Sequence, residues 1–208
     1  MNNADVQIQM LRAAELQFRL ACTVWCATTN GTQPLDLPSV WTFGKYSIES
    51  HEMALTPEGA SFAAQCLERS TTYLLAVQIK EALTEWTNHK AREHPQLEVR
   101  FAFEIARLIR NGFAHHPMRP VWNIDEPCES KVYSVDGVIT LDTTHLDGRP
   151  FEWQDYGGPI ALLRLSEFVR TKILGDQGAF GSSRNRDSIL NPTSESIRQG
   201  AILLNKLG

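Results

Sequence analysis

The sequence predicts a mainly α fold: an antiparallel helical bundle with a small antiparallel β-hairpin appendage and a short C-terminal helix. Three observations predict it. Apolar residues recur at helical spacing through three long stretches before Pro117. Helix punctuation brackets them, with Thr56-Pro57-Glu58 as a start and Gly112, Pro117 and Pro120 as a stop. Beyond Pro120 the pattern changes to β-rich runs, two of them joined by Asp136-Gly137.

The first helix is expected from Ala4 to about Ala27, with Leu11, Ala14, Phe18, Ala21 and Trp25 on one face. Asn30-Gly31 ends it, and Pro34 and Pro38 keep the next segment extended. Val40 to Ser50, with Trp41, Phe43 and Tyr46, reads as a short strand or packed loop. The second helix has Thr56 as N-cap, Pro57 at its first position and Glu58 in its first turn. It runs to about Thr87 and is expected to bury Phe62, Cys66, Tyr73, Leu74, Val77, Ala82 and Trp86. His89 and His94 flank a charged connection and read as solvated loop histidines.

The third helix begins near Pro95 with Leu97, Phe101, Ile105, Leu108 and Ile109 on its apolar side. Arg100, Glu104, Arg107 and Asn111 form a polar stripe at spacings of four, three and four, and Glu104 is the expected helix partner of Arg107. Val121 to Ile124 looks like a strand, and Lys131 to Leu141 a hairpin with a tight Asp136-Gly137 turn. Asp147-Gly148 offers another turn. After Tyr156-Gly157-Gly158, Pro159 starts a fourth helix to about Leu174. Gly175 to Asp187 reads as a linker, and Asn191-Pro192 caps a terminal helix with Ile197, Ala201, Ile202, Leu203 and Leu204. The expected division is a helical domain over 1–175, its β appendage at about 121–156, and a linker with terminal helix over 176–208.

At 208 residues and a net charge of −4, the chain can bury a sizeable core and is not a polycationic nucleic-acid coat. The charge is uneven. Residues 90–120 carry six Lys/Arg (Lys90, Arg92, Arg100, Arg107, Arg110, Arg119) against Glu93, Glu98 and Glu104, so this segment is +3 and the remainder −7. A basic island on an acidic chain suits a localised anion site. Cys22, Cys26, Cys66 and Cys128 contain no CxxC pair and read as buried free thiols of a reducing compartment. Cys22 and Cys26 lie one turn apart without a second Cys/His pair nearby, which favours core packing over metal ligation. The N-terminus has no basic start and no apolar core of a signal peptide, and no run is long enough to span a bilayer. A cytoplasmic protein with no membrane contact is expected.

The chemistry concentrates in Arg110-Asn111-Gly112-Phe113-Ala114-His115 at the end of the third helix. By composition roughly 0.4 Arg and His pairs at this spacing are expected by chance, so its weight comes from context. The pair closes an amphipathic helix, a small polar residue follows the Arg, and the segment is the basic one. Two readings stand at this point. His115 and Arg110 can be a helix-terminal cap and a surface ion-pair partner. Alternatively, they can grip a phosphodiester and move a proton beside it.

The run R-N-G-F-A-H resembles the signature of the HEPN superfamily: Arg, a polar residue, three residues, then His at the end of a core helix. With Pro117, Pro120-Val121-Trp122 and the later Tyr156-Gly157-Gly158, it is similar to a bacterial and plasmid-borne branch of that superfamily. The likeness covers roughly residues 60–170. It implies a HEPN-like bundle that dimerises so that two motifs face one cleft, and a metal-independent endoribonuclease acting as a toxin or defence effector. Arg110, Asn111 and His115 would be catalytic, with His116, Arg107 and Arg119 as possible auxiliaries. RNA is the implied substrate, a second copy and an antitoxin or other regulatory protein the implied partners, and no metal or cofactor is implied. A non-catalytic HEPN module binding a nucleotide, RNA or protein is the alternative. Some toxins of the superfamily carry a Tyr two residues after the motif His, where a partner nucleotidyltransferase silences them. Here that residue is Pro117, which does not fit that route.

Overall fold

Thr56 folds back on the start of its helix and accepts a hydrogen bond from Gly59 N at 3.1 Å, while Pro57 occupies the first helical position where no N–H is needed. The capped segment is α2, Pro57–Trp86. In this computed structural model residues 3–31 and 39–176 are described, and they form a mainly helical body with small antiparallel hairpins. The extended segment expected around Pro34 and Pro38, and the linker and terminal helix beyond Asp176, lie outside the described residues.

Helix α1 spans Asn3–Thr29, α3 Leu97–Phe113 and α4 Pro159–Phe168. Asn3 Nδ2 reaches Glu85 Oε2 at 3.1 Å, so the start of α1 meets the end of α2 and the two run antiparallel. Trp86 at the end of α2 meets His94 just before α3 at 5.2 Å, while Tyr73 in mid-α2 meets Phe113 at the end of α3 at 6.2 Å, so that pair is antiparallel too. Arg19 pairs with Glu167 and Arg12 with Asp176, so α4 returns antiparallel to α1. Leu11, Phe18, Leu75, Ile79, Leu83, Ile105, Ile109 and Leu165 close the core between these helices.

The buried face of α2 differs from the expected one. Phe62 is 67% exposed and Trp86 37%, whereas Ala64, Glu68, Thr72, Leu75, Ile79 and Leu83 are buried. The apolar count misleads because the inward row carries a carboxylate and hydroxyls. Thr72 Oγ1 bonds Glu68 Oε1, and Thr71 Oγ1 bonds the Glu68 carbonyl, so these groups tolerate the interior. Leu97, at the open end of α3, is likewise half exposed rather than buried. Of the cysteines, all four are free as expected, but only Cys128 is buried; Cys26 is exposed, while Cys22 and Cys66 are intermediate.

The segment after residue 39 is a hairpin, β1 (Val40–Phe43) paired in antiparallel register with β2 (Tyr46–Glu49) across Gly44-Lys45. Gly44 takes φ +58°, a conformation that a two-residue turn demands. Strands β3 (Val132–Val135) and β4 (Ile139–Asp142) form the expected appendage, with Tyr133, Val135, Ile139 and Leu141 turned inward. Their loop has three residues, Asp136-Gly137-Val138, rather than a tight two-residue turn. The expected strand at Val121 reduces to a single bridge, Val121 to Pro150. The predicted α4 stops at Phe168 and continues as a π turn over Val169–Ile173. That wider turn carries Arg170, whose Nε bonds Glu15 and whose Nη1 pairs with Asp176.

Candidate functional site

α3 ends where its backbone meets the chain returning from the turn. Gly112 is a buried helical residue, and Val121 N donates to its carbonyl at 3.0 Å. A Cβ at residue 112 would stand 3.3 Å from the Val121 carbonyl oxygen and 3.5 Å from the Phe151 ring. The glycine therefore serves close packing rather than simply stopping the helix. Beneath it Phe151 is ringed by Phe113 at 4.8 Å, Trp122 at 4.7 Å and Tyr156 at 5.7 Å. Trp122 Nε1 donates to Asp155 Oδ2 at 2.7 Å, which satisfies the indole in the interior.

The turn between these anchors carries the histidines. Ala114 N bonds the Asn111 carbonyl at 3.1 Å, and Arg119 N bonds the His116 carbonyl at 2.9 Å. Arg69, on α2, donates Nη1 to the Met118 carbonyl at 2.6 Å, and Phe151 N bonds the Pro120 carbonyl at 3.1 Å. The turn is thus tied at both ends and in its middle, while His115, His116 and Arg119 are exposed. Arg110, in the last turn of α3 and half-buried, donates Nη1 to Asn111 Oδ1 at 3.2 Å. It has no carboxylate partner among the described residues. A planar cation steadied by an amide, five residues before an exposed imidazole, has the chemistry to bind a phosphate and exchange a proton with its ligand.

The rest of the stripe does different work. Glu104 receives Arg107 Nε and Arg92 Nε, each at 2.7 Å. Arg107 also reaches Asp125 Oδ1 at 2.8 Å and Cys128 Sγ at 3.1 Å. Its side chain is only 11% exposed, so it braces the loop before β3 and is not available as an anion ligand. Burial disfavours the Asp125 carboxylate, but Arg107's hydrogen bond and charge outweigh that and hold its pKa below the ordinary value. Arg119 makes no side-chain ion pair among the described residues and remains an exposed cation near the turn.

Arg110, Asn111 and His115 are thus brought to one end of α3, Arg107 is withdrawn from them, and His116 and Arg119 stay on the exposed turn. Arg69 and Gly112 position this site without an obvious sequence signal for the first, since Arg69 acts 49 residues from its acceptor. Gly112 was visible in the motif, yet its role needed the Val121 carbonyl. Among the described residues no group of three or more His, Cys, Asp or Glu side chains is arranged to hold a metal ion. No described helix is long and apolar enough to cross a membrane. No family model, no curated protein and no solved structure matches the chain.

Proposed function

We propose that this chain is a metal-independent endoribonuclease of the HEPN type, acting as a dimer, in the role of a toxin or defence effector. The observation that carries the proposal is Arg110, which has no carboxylate partner among the described residues and is steadied by Asn111, five residues before exposed His115 on a turn tied at both ends. RNA supplies its own nucleophile. As the 2′-hydroxyl attacks phosphorus, its proton passes to a base, the bond to the 5′-oxygen breaks, and that oxygen takes a proton from an acid. The products are a 2′,3′-cyclic phosphate and a 5′-hydroxyl. Arg110 would hold the phosphate oxygens as charge builds on them. One imidazole does not serve as acid and base in the same step, so a second copy would bring the other.

Exposed apolar residues near the turn support a two-copy arrangement. Phe62 lies on the same α2 face as Arg69, about two turns away, and Met118 is also exposed. Cytoplasmic location and an antitoxin or other regulatory partner complete the proposal.

A non-catalytic module is the second reading. It is favoured by His115 having no side-chain hydrogen bond among the described residues to set its tautomer. Full-length protein incubated with RNA in EDTA separates the two. Cutting is expected, with loss of roughly 100-fold or more in His115→Ala and Arg110→Ala at unchanged melting temperature. Equal cutting by His115→Ala refutes the enzyme, and RNA bound without turnover establishes the module.

A further inference from the structure

Three turns before Arg110, α3 forms one wall of a second concavity, closed by the loop around Pro127 and by β3. It has a volume of about 330 Å³, the small end of the range for pockets that hold a single small molecule. We propose that this pocket binds a small phosphate monoester with a flat or apolar body, at a site separate from Arg110 and His115.

The charge count carries the argument. Glu104 and Asp125 line the pocket, and both are already paired. Arg92 and Arg107 hold Glu104, each at 2.7 Å, and Arg107 holds Asp125 at 2.8 Å. Two guanidiniums cancel two carboxylates. Arg100 and Lys131 line the same pocket, and neither side chain has an ion pair or hydrogen bond among the described residues. They leave a formal +2 with no counter-charge. A phosphate monoester carries about −1.5 to −2 near neutrality, which matches it; a single carboxylate supplies half.

Arg100 adds a second, independent sign. Its Nε is buried and has no acceptor among the described residues. A buried N–H without a partner is rare in a folded protein and calls for an explanation such as a water or an ion. An anion seated between Arg100 and Lys131 would take up the charge of both side chains. The body of the ligand is constrained by the aromatic side of the pocket, where Phe101 of α3 and Tyr133 of β3 meet edge to face at 5.7 Å. Burial pushes the Tyr133 hydroxyl pKa up, with Cys128 and Glu104 adding to it, so the ring stays neutral and does not repel the anion.

Arg100 and Arg110 are ten residues apart on one helix, or about 15 Å along its axis. A pocket-sized ligand therefore does not bridge the two sites, and the test separates them. Isothermal titration of the full chain uses adenosine monophosphate, inorganic phosphate and adenosine as probes. Adenosine monophosphate is expected to bind, phosphate to bind more weakly, and adenosine to bind at least about tenfold more weakly than its monophosphate. Arg100→Gln and Lys131→Gln should each weaken the monophosphate about tenfold, whereas His115→Ala and Arg119→Gln should change it less than about twofold. Lys131 is exposed, so its variant reports on binding even where Arg100→Gln perturbs folding. Undiminished binding in both pocket variants, adenosine binding as tightly as its monophosphate, loss of binding in His115→Ala, or no binding of either phosphate at ~10 mM overturns the proposal.

Discussion

Thr72 Oγ1 donates to Glu68 Oε1 one turn away on the buried face of α2, and this bond is all that Glu68's carboxylate receives among the described residues. Glu68 is fully buried, and among the described residues neither its Oε2 nor the buried Tyr156 hydroxyl, which feels the Glu68 charge, has a hydrogen-bond partner. Burial raises the Glu68 pKa to about 7, against the opposing pull of Thr72 and Arg69. The same burial, with Glu68 nearby, pushes the Cys22 thiol up to about 11.

A pH-dependent stability follows from Glu68. The folded chain keeps this proton to about pH 7, whereas the unfolded chain releases it near the ordinary value of about 4.3. Between those limits the native state binds more protons, so stability falls as pH rises through the window and levels off above it. The loss is of order 3 kcal/mol. Glu68→Gln, which keeps the shape and cannot ionise, should remove that slope. Urea unfolding of both proteins from pH 5 to 8 measures it, and an equal slope in the two would remove Glu68 as its source.

Gly112→Val should destabilise the chain by roughly 2 kcal/mol. Its Cβ would fall 3.3 Å from the Val121 carbonyl, and the backbone there is fixed by the Val121 N bond to Gly112 O. Chemical denaturation at constant pH reads the change. Wild-type stability in this variant would mean that the α3 end and the Val121 segment separate without cost.

Arg69→Ala should leave the fold intact and loosen the histidine turn. It removes the bond to the Met118 carbonyl, while Val121 and Phe151 still hold the far end of the turn. Faster amide hydrogen exchange is expected at residues 114–119, with RNA cutting reduced roughly tenfold through misplacement of His115. Unchanged exchange there would show that Arg69 is not a brace.

Phe62→Glu should give a monomer that folds normally and cuts RNA poorly. Phe62 is 67% exposed, so the substitution costs the isolated chain little, whereas a carboxylate inside a two-copy interface is disfavoured. Sedimentation measures the association and RNA integrity the activity. A dimeric, active variant would move the interface elsewhere.

Much of this architecture was legible from local patterns. The Thr56-Pro57 start, the helical periodicity of α1 and α3, and the Asp136-Gly137 hairpin depend on interactions within a few residues, which sequence records directly. Val40 to Ser50 reads as one short strand or packed loop, whereas Gly44-Lys45 divides it into the paired strands β1 and β2. The inward face of α2 is not legible in the sequence because Glu68, Thr71 and Thr72 have the composition of a solvent-facing row. Only the packing of α1 and α4 over them, and the hydrogen bonds they make among themselves, explains their burial.

The sequence alone determined the helical class, the cap and turn positions, and the placing of Arg110, Asn111 and His115 together at one helix end. Tertiary structure decided which cations remain available. Glu104 lies one helical turn from Arg107 and was visible as its partner, but Asp125 and Cys128 reach Arg107 only because the chain doubles back from the turn. Arg100 also lies one helical turn from Glu104 in the sequence, yet its Nε has no partner among the described residues. An arginine's availability depends on which carboxylates fold against it, and that is a property of the packed chain.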